Sequence, residues 1–163
     1  MFSENYKIPR KFFVIRIYSK LSKIETVVNN IAQKNKTALQ FSILGKLTNS
    51  ATITKKQLEK STAAMQKELS LVFPEEFKFG YFHNSEFGLL FIAGHLTPTF
   101  LNKIDQRELA SLPTGLLGIF RGLDSDAKEI NNYLTALKND NYCLIIRGER
   151  SVLKSIESCL GTS

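Results

Sequence analysis

Two apolar runs near opposite ends of the chain constrain the fold more than any other feature. Residues 12–18, Phe-Phe-Val-Ile-Arg-Ile-Tyr, are β-branched and aromatic, and residues 142–147, Tyr-Cys-Leu-Ile-Ile-Arg, are nearly as apolar. Side chains of this kind fit a pleated, buried surface, so both runs read as strands. Each run ends near an arginine, passes a short polar turn and enters an amphipathic helix. Residues 12–32 and 142–160 therefore share a plan although their identity is slight.

Between them the pattern alternates. Ser22-Lys23-Ile24-Glu25 has the spacing of a capping box, in which serine and glutamate satisfy orphan amides reciprocally. Ile24, Val27, Val28, Ile31 and Ala32 then fall on one helical face. Residues 38–44 read as a strand stopped by Gly45, and Lys34 and Lys36 suit the preceding helix end, where cations complement the dipole. Thr54-Lys55-Lys56-Gln57 is a second capping box. Behind it Leu58, Thr62, Met65, Leu69 and Val72 form a one-sided stripe that runs to Pro74, with Lys55, Lys56, Lys60 and Lys67 on the outer face.

Residues 77–83 and 88–94 read as a hairpin across Asn84-Ser85-Glu86. Thr97-Pro98 opens a short helix through Ile104, with threonine as N-cap and proline at the first position. Residues 105–122 are weakly patterned. Asp124 is expected to cap a helix carrying Ala127, Ile130, Tyr133, Leu134 and Leu137. Val152, Leu153, Ile156, Cys159 and Leu160 mark a closing helix. The expected architecture is α/β (α+β), a single domain over 1–163, with helices on one or both faces of a mixed sheet. Pairing of the terminal strand–helix units as a pseudo-repeat gives the ferredoxin-like plan.

Composition narrows function by exclusion. A chain of 163 residues, 43% hydrophobic and 23% charged, is neither disordered nor fibrous. Two cysteines supply no disulfide framework. The polar start lacks the apolar core of a signal peptide, and Leu89–Ala93, the longest apolar stretch, is far too short to span a bilayer, so a cytoplasmic protein is expected. The net charge of +7 is uneven: residues 1–60 hold 12 Lys and Arg against 3 Asp and Glu, the remainder 10 against 12.

No catalytic, cofactor or metal residue can be assigned. His83 and His95 fall at the ends of the hairpin strands, where a two-histidine corner is conceivable, but zinc needs three or four ligands. Cys143 and Cys159 both sit on apolar faces and are expected to be buried, which leaves a thiol inert. Gly115-Leu116-Leu117-Gly118 superficially matches the phosphate-clamping loop of RNA-binding KH domains, but leucines occupy its middle and packing is the expected role. Lys78-Phe79-Gly80-Tyr81-Phe82 and Val14-Ile15-Arg16-Ile17-Tyr18 are loose matches to the stacking motifs of RNA-binding sheets.

In the C-terminal third, Gly118-Ile119, Asp124-Ser125-Asp126-Ala127, Tyr133 and Leu137 precede the strand Tyr142 to Arg147. Upstream stand Ala93-Gly94-His95-Leu96 and Phe41-Ser42-Ile43-Leu44-Gly45-Lys46. This series resembles the general stress / heat-induced stress protein family, small bacterial domains of unknown biochemical role; His95 and Phe120 stand where the family has proline. The resemblance implies a ferredoxin-like fold and a bacterial origin, and carries no catalytic residue with it.

The expected function is a small non-enzymatic module acting by protein–protein or small-ligand contacts, with the connection to stress that the resemblance implies. An open apolar sheet face would favour a homodimer. The alternative is nucleic-acid or anionic-surface binding through the basic first part of the chain, with Lys7, Arg10, Lys11, Lys20 and Lys23 as contacts.

Overall fold

The structure is a computed structural model describing residues 11–34, 39–48, 52–104, 106–112 and 114–160. Strand β1 (Lys11–Tyr18) leads through α1 (Leu21–Lys34) to β2 (Gln40–Lys46) and α2 (Lys55–Leu69). The hairpin β3 (Phe79–Asn84) and β4 (Gly88–Gly94) follows, then α3 (Thr97–Leu101). A two-stranded ribbon of β5 (Lys103–Ile104) and β6 (Arg107–Glu108) comes next, with a 3-10 turn at Leu109–Ser111. The chain closes with α4 (Gly115–Gly122), α5 (Ala127–Lys138), β7 (Tyr142–Glu149), α6 (Arg150–Ser155) and α7 (Glu157–Leu160).

The sheet runs β1-β7-β2-β4-β3, and every neighbouring pair is antiparallel. The expected mixed sheet is thus corrected, and the reason lies in the last strand. Because β7 inserts between β1 and β2, the parallel partners of that strand–helix–strand unit never touch. In the same way β2 separates β4 from β7, so two split units interlock. The two terminal runs do pair, over all eight residues from Lys11 opposite Glu149 to Tyr18 opposite Tyr142.

Both faces of the sheet are covered. On one side Ile15, Leu44, Leu90, Ile92, Cys143 and Ile145 pack under α3, α4 and α5 through Phe100, Leu116, Phe120, Ile130 and Leu137. On the other Ile43, Phe91, Ala93, Leu144 and Ile146 pack under Ile24, Val28 and Ile31 of α1, Leu69 of α2, and Leu153, Ile156 and Leu160 near the C-terminus. Two-sided burial explains the unbroken apolar runs of β4 and β7. It also removes the open face on which the expected dimer rested.

Several local boundaries differ from the sequence reading, each for a packing reason. Leu21 is buried, so α1 begins there and Ser22 lies inside the first turn rather than capping it. Ala32 is exposed, beyond the stripe that faces the sheet. Strand β2 continues through Gly45, because the Tyr142 and Phe91 rings occupy the space a Cβ would need. The Thr54–Gln57 box forms as expected, but α2 ends at Leu69, with Val72 and Pro74 beyond it. Helix α3 is capped by Leu96, while the Thr97 hydroxyl donates inward to the carbonyls of Lys78 (3.3 Å) and Ile92 (3.4 Å). Asp124 takes a positive φ of 64° in the turn after α4, and Asp126 caps α5 in a reciprocal box with Glu129. Lys36 lies outside the described residues.

Candidate functional site

A groove of about 560 Å³ opens at the end of the sheet where the C-terminal half of α1, the start of β2, residues 73–78 and the turn after β4 converge. This volume falls within the range of small-molecule sites. Val28, Leu39, Phe41, Phe73 and Phe77 supply apolar walls, and Gln40, Glu75, Glu76, Lys78 and His95 supply polar groups. Phe73 and Phe77 stack with ring centroids 4.7 Å apart, so the segment after α2 presents a rigid aromatic wall rather than a loose loop.

The His95 side of the groove is held by backbone bonds that the sequence dictates. Gly94 has φ 103°, a conformation L side chains rarely adopt, and a Cβ there would run into the Phe41 carbonyl oxygen. Bent in this way, the chain sends the Gly94 amide to the Lys78 carbonyl (2.8 Å) and the His95 amide to the Phe41 carbonyl (3.0 Å). The Leu96 amide donates to the buried Ser42 hydroxyl at 2.8 Å. His95 is thereby tied to both β2 and the entry to β3.

Electrostatics at this end are positive. Partial burial, then the charges of Arg147 and Lys78, push the His95 imidazole below its ordinary pKa of 6.5. The neutral ring can both donate and accept a hydrogen bond at neutral pH. The Arg147 guanidinium donates to Gln40 across the β2–β7 pair, which orients the amide at the groove. Among the described residues the side chains of Glu75, Glu76 and Lys78 form no ion pair, so charges of both signs stand free around an apolar pocket.

The other candidates fare differently. His83 lies opposite Leu89 near the start of β4 and His95 follows the end of that strand at Gly94, so at about 3.4 Å per residue their backbone positions are separated by roughly the length of the strand, about 17 Å. The two-histidine corner cannot assemble across them. Cys143 is fully buried and its thiol is pushed up to about 12 by desolvation, but Cys159 is only half-buried, beside Tyr18, Ser22 and Lys23. Gly115 and Leu116 are packed inside α4, with Gly115 pressed on the Leu109 carbonyl. The two loose RNA-binding matches fall on β1 and β3, the opposite edges of the sheet, so their aromatics do not form one stacking surface.

Lys7 and Arg10 lie outside the described residues. Lys11 pairs with Glu149 at 3.8 Å, at the far end of β1 from Lys20, roughly 30 Å away along the strand. Lys20 and Lys23 share the turn that opens α1, linked by a 3.2 Å backbone bond. Of the five expected contacts, Lys11, Lys20 and Lys23 are described, and they form a pair and an outlier. The groove itself escaped sequence reasoning: Pro74 read only as the end of a helix and Phe77 as the start of a strand. Its signal was two aromatics flanking a proline–acid turn.

Among the described residues no helix is long and apolar enough to cross a membrane. No family model, curated protein or solved structure matches this chain.

Proposed function

We propose that this protein is a small non-enzymatic binding module whose site is the groove between α1 and the His95 turn. Its ligand is a small molecule with an aromatic or branched apolar body and a polar or charged head. The observation that carries this reading is the pairing of the stacked Phe73–Phe77 wall with a polar end fixed by Gly94, His95 and Lys78. The apolar body gains affinity by leaving water, and the head is oriented by groups already in place.

We also read the interlocked split units as a relative of the ferredoxin-like plan, with the terminal strand–helix units as its pseudo-repeat. A cytoplasmic, stress-related role in a bacterium completes the proposal, supported by the motif resemblance around Phe41–Lys46 and Ala93–Leu96. The anionic-surface alternative retains one supporting observation, the Lys20–Lys23 pair; salt-sensitive retention on heparin, lost in Lys20→Ala/Lys23→Ala, would favour it.

The test of the groove is a thermal-shift screen with small aromatic and branched-chain acids, amines and amino acids. The proposal expects a subset to raise Tm, as any ligand selective for the folded state must, with the shift lost in Phe77→Ala. No stabilising compound, or shifts that survive Phe77→Ala, would count against the site.

A further inference from the structure

Taking the groove as the binding site, its charges decide which head group it receives. Hydrogen bonds bring three basic residues from separate segments to one end of it. The Lys78 carbonyl accepts from the Gly94 amide at 2.8 Å and from the Thr97 hydroxyl at 3.3 Å, which fixes the entry to β3 beside the His95 turn. The His95 amide bonds to Phe41, and the neighbouring Gln40 is both the register partner of Arg147 and the acceptor of its guanidinium. The charges of Arg147 and Lys78 both reach the His95 imidazole. Two carboxylates line the groove as well, but Glu75 and Glu76 are exposed in the turn between the stacked Phe73 and Phe77 rings. Arg147 is half-buried on a central strand, and water and salt screen such a charge less than an exposed one.

We propose that the groove selects carboxylic acids, with the apolar body on Phe73 and Phe77 and the carboxylate between the Lys78 ammonium and the His95 imidazole, in the field of Arg147. An anion placed there offsets charges of one sign, which favours it over a neutral or cationic head of the same shape. Glu75 and Glu76 on the same rim oppose a doubly charged head such as a phosphate monoester, so a single negative charge is the better match. Binding is also linked to a proton. The groups facing His95 are Arg147 of β7, Lys78 before β3 and the uncharged Gln40 of β2, with Glu75 and Glu76 along the rim; α1 lines the groove with apolar residues. Partial burial, Arg147 and Lys78 hold the imidazole below its ordinary pKa of 6.5, and a carboxylate beside it favours the imidazolium. The bound state therefore keeps its proton to higher pH than the free one, and affinity rises as pH falls through that interval.

The test is isothermal titration of the full chain with three probes that share one body: 3-phenylpropionate, 3-phenylpropanamide and 3-phenylpropylamine. At low salt and neutral pH the acid should bind about tenfold or more tighter than the amide, with the amine weakest, and the gap should narrow at about 0.3 M salt. Lys78→Gln should cut the gap to about threefold or less without weakening the amide, whereas Phe77→Ala should weaken all three probes. Between about pH 7.5 and pH 5.5 the acid should tighten about threefold or more and the amide should not, a slope that His95→Gln should flatten. Lys78 and His95 are exposed, so neither substitution puts folding at stake. An amide or amine that equals the acid, an acid preference that survives Lys78→Gln, or acid binding indifferent to pH overturns the carboxylate assignment, and loss of that binding in Phe77→Ala would leave the groove itself standing. Absence of binding by all three probes overturns both.

Discussion

Ser42→Ala tests how the candidate groove is held. Ser42 is 1% exposed, and its hydroxyl accepts the amide of Leu96, itself buried, at 2.8 Å. Alanine removes the acceptor without filling the space, leaving a buried donor unsatisfied. Such a loss costs about 1–3 kcal/mol. At about 2–4 °C per kcal/mol for a chain of this size, Tm should fall by about 2–12 °C. The assay is urea unfolding with a parallel thermal scan; the midpoint should drop while the slope stays constant, since the surface exposed on unfolding is unchanged. Ser22→Ala is the control, because Ser22 lies exposed inside α1 and performs no cap there. That change should stay within about 0.5 kcal/mol, as surface substitutions usually do. If both variants lose equal stability, or Ser42→Ala loses none, the reasoning that the His95 turn hangs on this hydroxyl is refuted.

Other consequences concern protons, thiols and caps. Because the folded pKa of His95 lies below its unfolded value of 6.5, the unfolded chain takes up the proton first on acidification. The His95 contribution is therefore intact above 6.5 and is lost as pH falls from there toward the folded value, a slope His95→Gln should flatten in urea midpoints across that window. A thiol reagent at mildly alkaline pH should modify Cys159 first and Cys143 only after unfolding, read as one fast and one slow phase. Asp126→Ala should cost about 1 kcal/mol in thermal unfolding through loss of the α5 cap.

Legibility followed local chemistry. The runs that became β4 and β7 were plain in the sequence, because two-sided burial leaves a nearly continuous apolar signature, and β1 and β3 were marked by their β-branched and aromatic residues. The Thr54 box was equally plain, since a capping box is a contact among near neighbours. The Ser22 box had the same spacing and did not form, because burying Leu21 determined where α1 begins. No local pattern told which strand lies between β1 and β2; that depends on a pairing of residues more than one hundred positions apart, such as Gln40 with Arg147. The groove was invisible for a similar reason. Its walls come from four separate segments, and the glycine that bends His95 into place reads in sequence as an ordinary strand end.

The most direct trial of a ligand groove at the His95 turn is the imidazole resonances of the two histidines, followed by NMR while a compound that stabilises the chain is added. The ring of His95 lines the groove, and that of His83, at the other end of the hairpin, serves as an internal reference. The account predicts a saturable shift of the His95 signals with His83 unmoved. Signals that both stay still, or that move together, would contradict it.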